Sequence, residues 1–176
     1  GQMDYPPNVA AVARFAREIL PAIRQRHQAA RFHIVGRAPT AEVTALGQQT
    51  GTRVWGAVAD MRPFLAAADL VVAPLTIARG VQNKVLEAMA MARPVLLSPE
   101  AATGISGRHG THFMVCDNPA LFVEHALALL EWPDDRARIG TAARRLVCDG
   151  MSWPAMLAGL PQLLGLGNHP QARDAA

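Results

Sequence analysis

One stretch of this 176-residue chain combines residue types that can do chemistry: residues 73–98, APLTIARGVQNKVLEAMAMARPVLLS. An apolar run closes at Pro74, a loop carries Arg79 and Gly80, and the spacing predicts a helix over 83–91 with Lys84 in its first turn. A helix N-terminus offers unpaired N–H groups and about half a positive charge, which suits an anion. Arg79 and Lys84 would add full charges beside it. Glu87 follows Lys84 by three residues on the same helix face, where a carboxylate can accept two hydrogen bonds from vicinal hydroxyls such as those of a ribose. Diphosphate plus ribose describes a nucleoside diphosphate. The same residues also fit a plain amphipathic helix, with Asn83 as its cap, Glu87 favouring the N-terminal dipole and Lys84 in solvent. On spacing alone the two readings weigh equally. Lys84 stands out in one further way, as the only lysine among 17 basic residues. Its compact ammonium is not equivalent to a guanidinium at a tight phosphate site.

The elements that must position these residues are legible as an alternation. Apolar residues at 9, 12, 15, 19, 20 and 23 recur at helical spacing and predict a helix to about residue 27, which Pro21 kinks or restarts. Strands are expected at 31–36, 52–56, 70–73, 95–98 and 112–116. Between and after them, helices are opened by Thr40 and by Asp60, then span 83–91, 119–131, 134–148 and 152–164. The run LVVA at 70–73 is continuously apolar, the pattern of a parallel strand buried on both faces. The fold class expected is therefore α/β, a Rossmann-like doubly wound parallel sheet that binds ligands at the carboxyl ends of its strands. Gly1-Gln2-Met3 reads as the end of a strand, so six strands are expected with the first truncated or absent. Residues 1–164 form one domain in this reading, 165–176 a disordered tail, and the whole a fragment.

Composition removes other classes. With 51% hydrophobic and 18% charged residues the chain is no disordered tail. No signal peptide is expected, and no apolar run reaches membrane length. Two cysteines match neither a metal-ligand spacing nor a secreted disulfide framework, which fits buried thiols in a reducing cytoplasm. The net charge of +3 comes with scattered arginines and uninterleaved aromatics, so nucleic acid is not expected as a partner. GxxxxGK[ST] and GxGxxG are absent. Ser106 in GISGR lacks the setting of a nucleophile elbow, and His109 and His112 have no carboxylate beside them to complete a metal site.

Several segments occur in a telling order: IVGRAP at 34–39, VWGAV at 54–58, LEAMAMARPVLL at 86–97, RARIGTAARRLV at 136–147 and Ser152-Trp153. Together they resemble the glycosyltransferase family 4 enzymes, whose GT-B fold sets two Rossmann-like domains across a cleft, and this chain resembles the C-terminal half. MDYPPN at 3–8 with ARGVQNKVLEAMA at 78–90 is similar to bacterial sugar transferases of exopolysaccharide and exosortase-type systems. The family motif is Glu, seven residues, Glu. Glu87 matches the second, ribose-binding carboxylate, while the first falls at Arg79, a reversal of charge. Gly80 keeps the following glycine, whose lack of a side chain allows close approach.

The resemblance implies that Arg79 and Lys84 are the catalytic cations. Gly80, Val81, Gln82, Asn83 and Val85 would lie along the diphosphate, and Gly36, Arg37, Ala57 and Val58 would complete the donor side. Ala38 and Ala92 stand where family glycines are common. It further implies a retaining transfer from a nucleotide-diphosphate sugar to a glycan or lipid-linked acceptor, with no metal and no cofactor. An N-terminal domain outside this chain would supply the acceptor side, so the fragment alone would be inactive. The location implied is cytoplasmic, peripheral at the inner membrane through that domain. A GT-B nucleotide-sugar epimerase and a non-catalytic nucleotide-binding or interaction module are the alternatives.

Overall fold

The expected first helix forms as α1 (Pro6–Arg14) and α2 (Leu20–Arg26), joined without a break by a wide π turn, Phe15–Ile19. Pro21 has no N–H to give the ladder, and the widened turn just before it accommodates that loss. The computed structural model describes residues 1–151, 157 and 160–163. After α2 the chain alternates as expected: β1 (Phe32–Val35), α3 (Ala41–Ala45), β2 (Thr52–Gly56), α4 (Arg62–Ala67), β3 (Val71–Ala73), α5 (Asn83–Ala90) and β4 (Val95–Leu97). The short α6 (Pro99–Ala102), β5 (Met114–Val115), α7 (Pro119–Glu131) and α8 (Pro133–Arg145) follow, then a π turn, Leu146–Gly150, and one turn α9 (Leu160–Leu163). Side chains set several of these starts: the Val43 N–H donates to Thr40 Oγ1 at 3.2 Å, Arg62 N–H to Asp60 Oδ1 at 2.9 Å and Leu121 N–H to Asn118 Oδ1 at 3.0 Å. Most of the helix expected over 152–164, with Ser152 and Trp153, and the tail at 165–176 lie outside the described residues.

Every strand pairing is parallel, but the strands do not make one sheet. β1 pairs with β2, and β3, β4 and β5 form a second sheet in that order. Five strands are present among the described residues where six were expected, and a gap separates β1 from β3. Gln2 bridges Arg37 in parallel beyond the end of β1, where the end of a first strand was expected.

β4 is the centre of the core. Val95 and Leu97 pack with Val85, Ala88 and Met89 of α5, while Leu96, on the opposite face, packs with Phe15, Ile19 and Phe122 of the helices behind the sheet. Burial on both faces is thus real for β4. For the run at 70–73 it holds only at Ala73, because Val71 and Val72 are half-buried along the gap. The two thiols also part company. Cys116 is buried, and its pKa is pushed up to about 12 by burial first and then by Asp117 and Glu124. Cys148 is exposed, against expectation, on the π turn that follows α8.

Candidate functional site

α5 starts at the carboxyl end of β3, after the loop 74–82, and its start is uncapped. Gln82, not Asn83, occupies the N-cap position, and its side chain donates to Gly80 O at 3.1 Å instead of bonding the helix. The N–H groups of Val85 and Leu86 return to Gln82 O at 2.8 and 3.3 Å. The amides of Asn83 and Lys84 have no backbone partner among the described residues, so two donors stay available at the positive end of the helix.

The start of α1, at the same end of the sheet, is closed by comparison. Pro6 and Pro7 have no N–H, and the amides of Asn8 and Val9 both donate to Tyr5 O. Of these two starts, that of α5 is the one with free donors.

Lys84 is half-buried, and its Nζ donates to Asn8 Oδ1 at 2.5 Å while Asn8 Nδ2 donates to Gln2 O at 2.8 Å. No carboxylate pairs with it among the described residues, and burial holds its ammonium below the ordinary value of 10.5. Glu87, exposed and one turn further on, lines the same cavity of about 470 Å³ as Lys84, Gly1, Val35, Pro74 and Leu75. Arg37 reaches this neighbourhood from the end of β1, with Nη2 donating to Gln2 Oε1 at 3.1 Å. The Gly1 amino group registers all three charges: burial lowers its pKa most, Lys84 and Arg37 lower it further, and Glu87 opposes them.

The structure therefore brings Lys84 and Glu87 to one cavity wall, leaves Arg37 outside that lining beside Gln2, and leaves Arg79 apart. The expectation that Arg79 converges with Lys84 and Glu87 is corrected: its side chain is exposed, lines no part of the cavity and forms no hydrogen bond or ion pair among the described residues. Gly80 holds φ +70° in open space, the left-handed conformation that favours glycine. Val81 is exposed, with its side chain beside Gly104.

Val85 is wholly buried in the core, and its amide is already bonded to Gln82, so it offers a ligand neither side chain nor donor. Gly36 is buried, and a Cβ there would stand 2.1 Å from Gly1 O, so close packing of the chain already demands glycine. Ala57 and Val58 follow β2 at the outer edge of the sheet and do not line the cavity. Asn8 is the contact that sequence reasoning missed. Its only signal is the Pro6-Pro7 pair that brings the helix start up to Lys84.

The rings of His109 and His112 accept amides of their own loop, Val115 N–H at 2.9 Å and Arg108 N–H at 3.0 Å. Among the described residues no three His, Cys, Asp or Glu side chains gather as a metal set, and no helix is long and apolar enough to cross a membrane.

Comparison with known proteins places this geometry. The family described as "Glycosyl transferases group 1" matches residues 1–132. Among solved structures, HepE of Anabaena in complex with UDP superposes with a TM-score of 0.71 at 18% identity, over 84% of this chain and 44% of that one. TarM, described in a companion structure as the S. aureus protein, gives 0.77 at 18% identity over 96% of this chain and 34% of its own. The C-terminal domain of the glycosyl transferase group 1 protein LpcC from Francisella tularensis gives 0.58 at 14% identity, over 78% of this chain and 94% of that domain. The fold is that of GT-B Rossmann-like domains, and the chain spans less than half of the first two proteins. No curated protein sequence matches it significantly.

Proposed function

Because the chain belongs to the glycosyl transferases group 1 family, we propose that it is the donor-binding domain of a retaining, family 4 type glycosyltransferase that moves a sugar from a nucleoside diphosphate to a glycan or lipid-linked acceptor. The observation that carries this reading is at the start of α5. A partly desolvated Lys84 without a carboxylate partner lies beside two free amides, with Glu87 one turn on in the same cavity wall.

Each group has a task that its chemistry permits. The Asn83 and Lys84 amides and the Lys84 ammonium take diphosphate oxygens, and Asn8 holds the ammonium in place until they arrive. Glu87 accepts from the ribose hydroxyls. As the sugar leaves, negative charge grows on the departing diphosphate, and a fixed ammonium at a helix N-terminus stabilises it without a metal or other cofactor. Arg37 closes the β1 side, and Ala57 and Val58 lie toward the base.

The fragment alone is inactive in this reading, since one wall of a cleft cannot position an acceptor. Exopolysaccharide assembly, and a cytoplasmic position at the face of the inner membrane reached through a second domain, complete it. An epimerase would need paired acids in the cleft. The acids lining the cavity are Glu87 and Asp69, and Asp69 precedes β3, at the opposite end of the strands, near Arg136 at 3.6 Å.

A thermal-shift series with nucleoside diphosphates, nucleosides and diphosphate sugars tests the reading. At 100 times its Kd a ligand stabilises the fold by about 2.7 kcal/mol. Diphosphates and their sugars are expected to raise Tm and nucleosides to do so weakly. A flat response to all of them, or an identical response in Lys84→Ala, overturns it.

A further inference from the structure

We propose that the loop 106–112 is an acid-opened clasp: at neutral pH two histidine rings fasten it along the outer edge of β5, and protonation of those rings releases that edge. The clasp lies outside the cavity of Lys84 and Glu87, and the inference is independent of the donor-site reading.

β5 ends the order β3-β4-β5, so one side of it faces no strand among the described residues. The Cys116 N–H donates inward to Leu97 O at 2.8 Å, and strand alternation then turns the N–H of Val115 and the C=O of Phe113 outward. An uncovered row of such groups is a template for another strand. Here the loop covers it. His109 bridges Phe113 in parallel, Gly110 N–H donates to Phe113 O at 2.8 Å, and Val115 N–H donates to His109 Nδ1 at 2.9 Å. A histidine ring thus takes the place of a neighbouring strand's carbonyl.

The second ring ties the loop to itself. Arg108 N–H donates to His112 Nδ1 at 3.0 Å, and the N–H groups of Thr111 and His112 return to Arg108 O at 3.2 and 2.9 Å. An amide donates only to a bare ring nitrogen, so both rings are neutral with their proton on Nε2. A second proton has one place to go, Nδ1, where an N–H group already points at the nitrogen. Each bond is therefore lost when its ring becomes charged, a change that histidines undergo between about pH 5 and 8.

The surroundings oppose a charged ring in place. From α7, His125 stands with its ring centroid 5.6 Å from that of His109; burial lowers the His125 pKa most, exposed Glu124 opposes, and His109 lowers it further. From α8, Arg138 donates Nη1 to Gly110 O at 3.2 Å and is paired with Asp135 at 2.7 Å. Arg108 adds a cation from the loop itself, and Asp117, at the end of β5, accepts from Asn118 Nδ2 at 2.6 Å. Two of the three carboxylates are thus engaged, while Arg138, Arg108 and a charged His125 repel a protonated His109.

The opening is confined by its anchors. Ile105 and Phe113 are buried in one core cluster at the two ends of the loop. Acid leaves two ties, Arg138 to Gly110 O and Gly110 N–H to Phe113 O, and both meet at Gly110, which holds φ +74° in open space. The charged rings turn away about that point and bare the Val115 N–H.

Amide hydrogen exchange of the 176-residue chain at about pH 7.5 and about pH 5.5, expressed as protection relative to the intrinsic rate, tests the clasp. Protection at Val115 and Arg108 is expected to fall at least about tenfold in acid, while that at Leu96 and Leu97 of β4 holds. His109→Asn with His112→Asn offers an acceptor near the Nδ1 position that does not titrate, and is expected to abolish the fall. His109→Phe is expected to leave Val115 unprotected at both pH values, and ring nitrogen NMR shifts at neutral pH to show the Nε2–H tautomer in both histidines. The proposal is overturned by an unchanged protection in the parent chain, by the same fall in the double asparagine variant, by protection of Val115 retained in His109→Phe, or by an Nδ1–H tautomer at either ring. An equal fall at Leu96 and Leu97 also overturns it, because acid would then be unfolding the sheet as a whole.

Discussion

β4 and β2 are strands of one parallel fold, yet they live in different surroundings. Val95, Leu96 and Leu97 of β4 are all fully buried, sandwiched by α5 on one face and by α2 and α7 on the other. β2 alternates: Thr52 is buried and Val54 half-buried, whereas Arg53 and Trp55 stand exposed. On that open face the Arg53 guanidinium sits 3.8 Å over the Trp55 ring, and the Trp55 Nε1–H donates to His33 Nδ1 at 2.9 Å. The half of the molecule around β4 is therefore a two-sided core, and the half around β2 a one-sided ribbon finished by an aromatic stack. The difference teaches where a precise site can be built. Lys84 and Glu87 ride on α5, whose Val85, Ala88 and Met89 are wholly buried against β3 and β4, so their positions are set by packing.

The largest expected difference between the halves is in stability. Leu97→Ala removes a fully buried side chain from between helices and sheet, at a cost of about 3–5 kcal/mol, whereas half-buried Val54→Ala costs about 1 kcal/mol. Urea unfolding measures both, and equal costs would dissolve the distinction.

Ligand binding sharpens it next. Lys84→Ala and Glu87→Gln are each expected to weaken nucleoside diphosphate binding at least about tenfold in calorimetry. Lys84→Ala should spare nucleosides and Glu87→Gln should not. Arg37→Ala, from the other half, and the exposed Arg79→Ala are each expected to cost up to about fivefold, the scale of an exposed charge. A tenfold loss in Arg37→Ala with none in Lys84→Ala would move the site to the ribbon half.

Backbone strain tests the halves for likeness. Ala38 follows β1 with φ 52° and Ala92 precedes β4 with φ 54°, both left-handed. Ala38→Gly and Ala92→Gly should each raise stability by about 1 kcal/mol on thermal unfolding. A loss at either position would show that its alanine methyl packs well enough to offset the strain.

The smallest effect expected is one of pH. Burial lowers the Lys84 pKa below 10.5, so the folded state holds fewer protons at this site than the unfolded chain. Stability contributed by this group should thus rise with pH between its lowered value and 10.5, while diphosphate affinity falls over the same range as the ammonium is lost. Lys84→Met should remove both slopes.

Much of the fold was legible because its signals are local. Thr40 and Asn118 cap where they stand, the apolar spacing of the first helix persists through its π turn, and the bounds of β2 and α7 were readable from composition change and a proline start. Less of the site was legible. Sequence spacing put Lys84 and Glu87 on one helix face, where the structure has them, but it also enlisted Arg79, which the loop holds in solvent, and the family resemblance enlisted Val85, which the core takes. Asn8 escaped notice because its partner lies 76 residues away.

By itself the sequence determined which residues make helices and strands, because caps, prolines and hydrophobic period act over one or two turns. It also determined that a cation and a carboxylate share the first turns of α5. Only the tertiary structure decided that α1 has no free donors to offer and α5 does, that Asn8 and not an acid holds Lys84, and that the sheet is parted between β1 and β3. Those outcomes depend on which chain segments meet in space, and a hydrogen bond or a buried edge acts only between groups that have been brought within about 3 Å of each other.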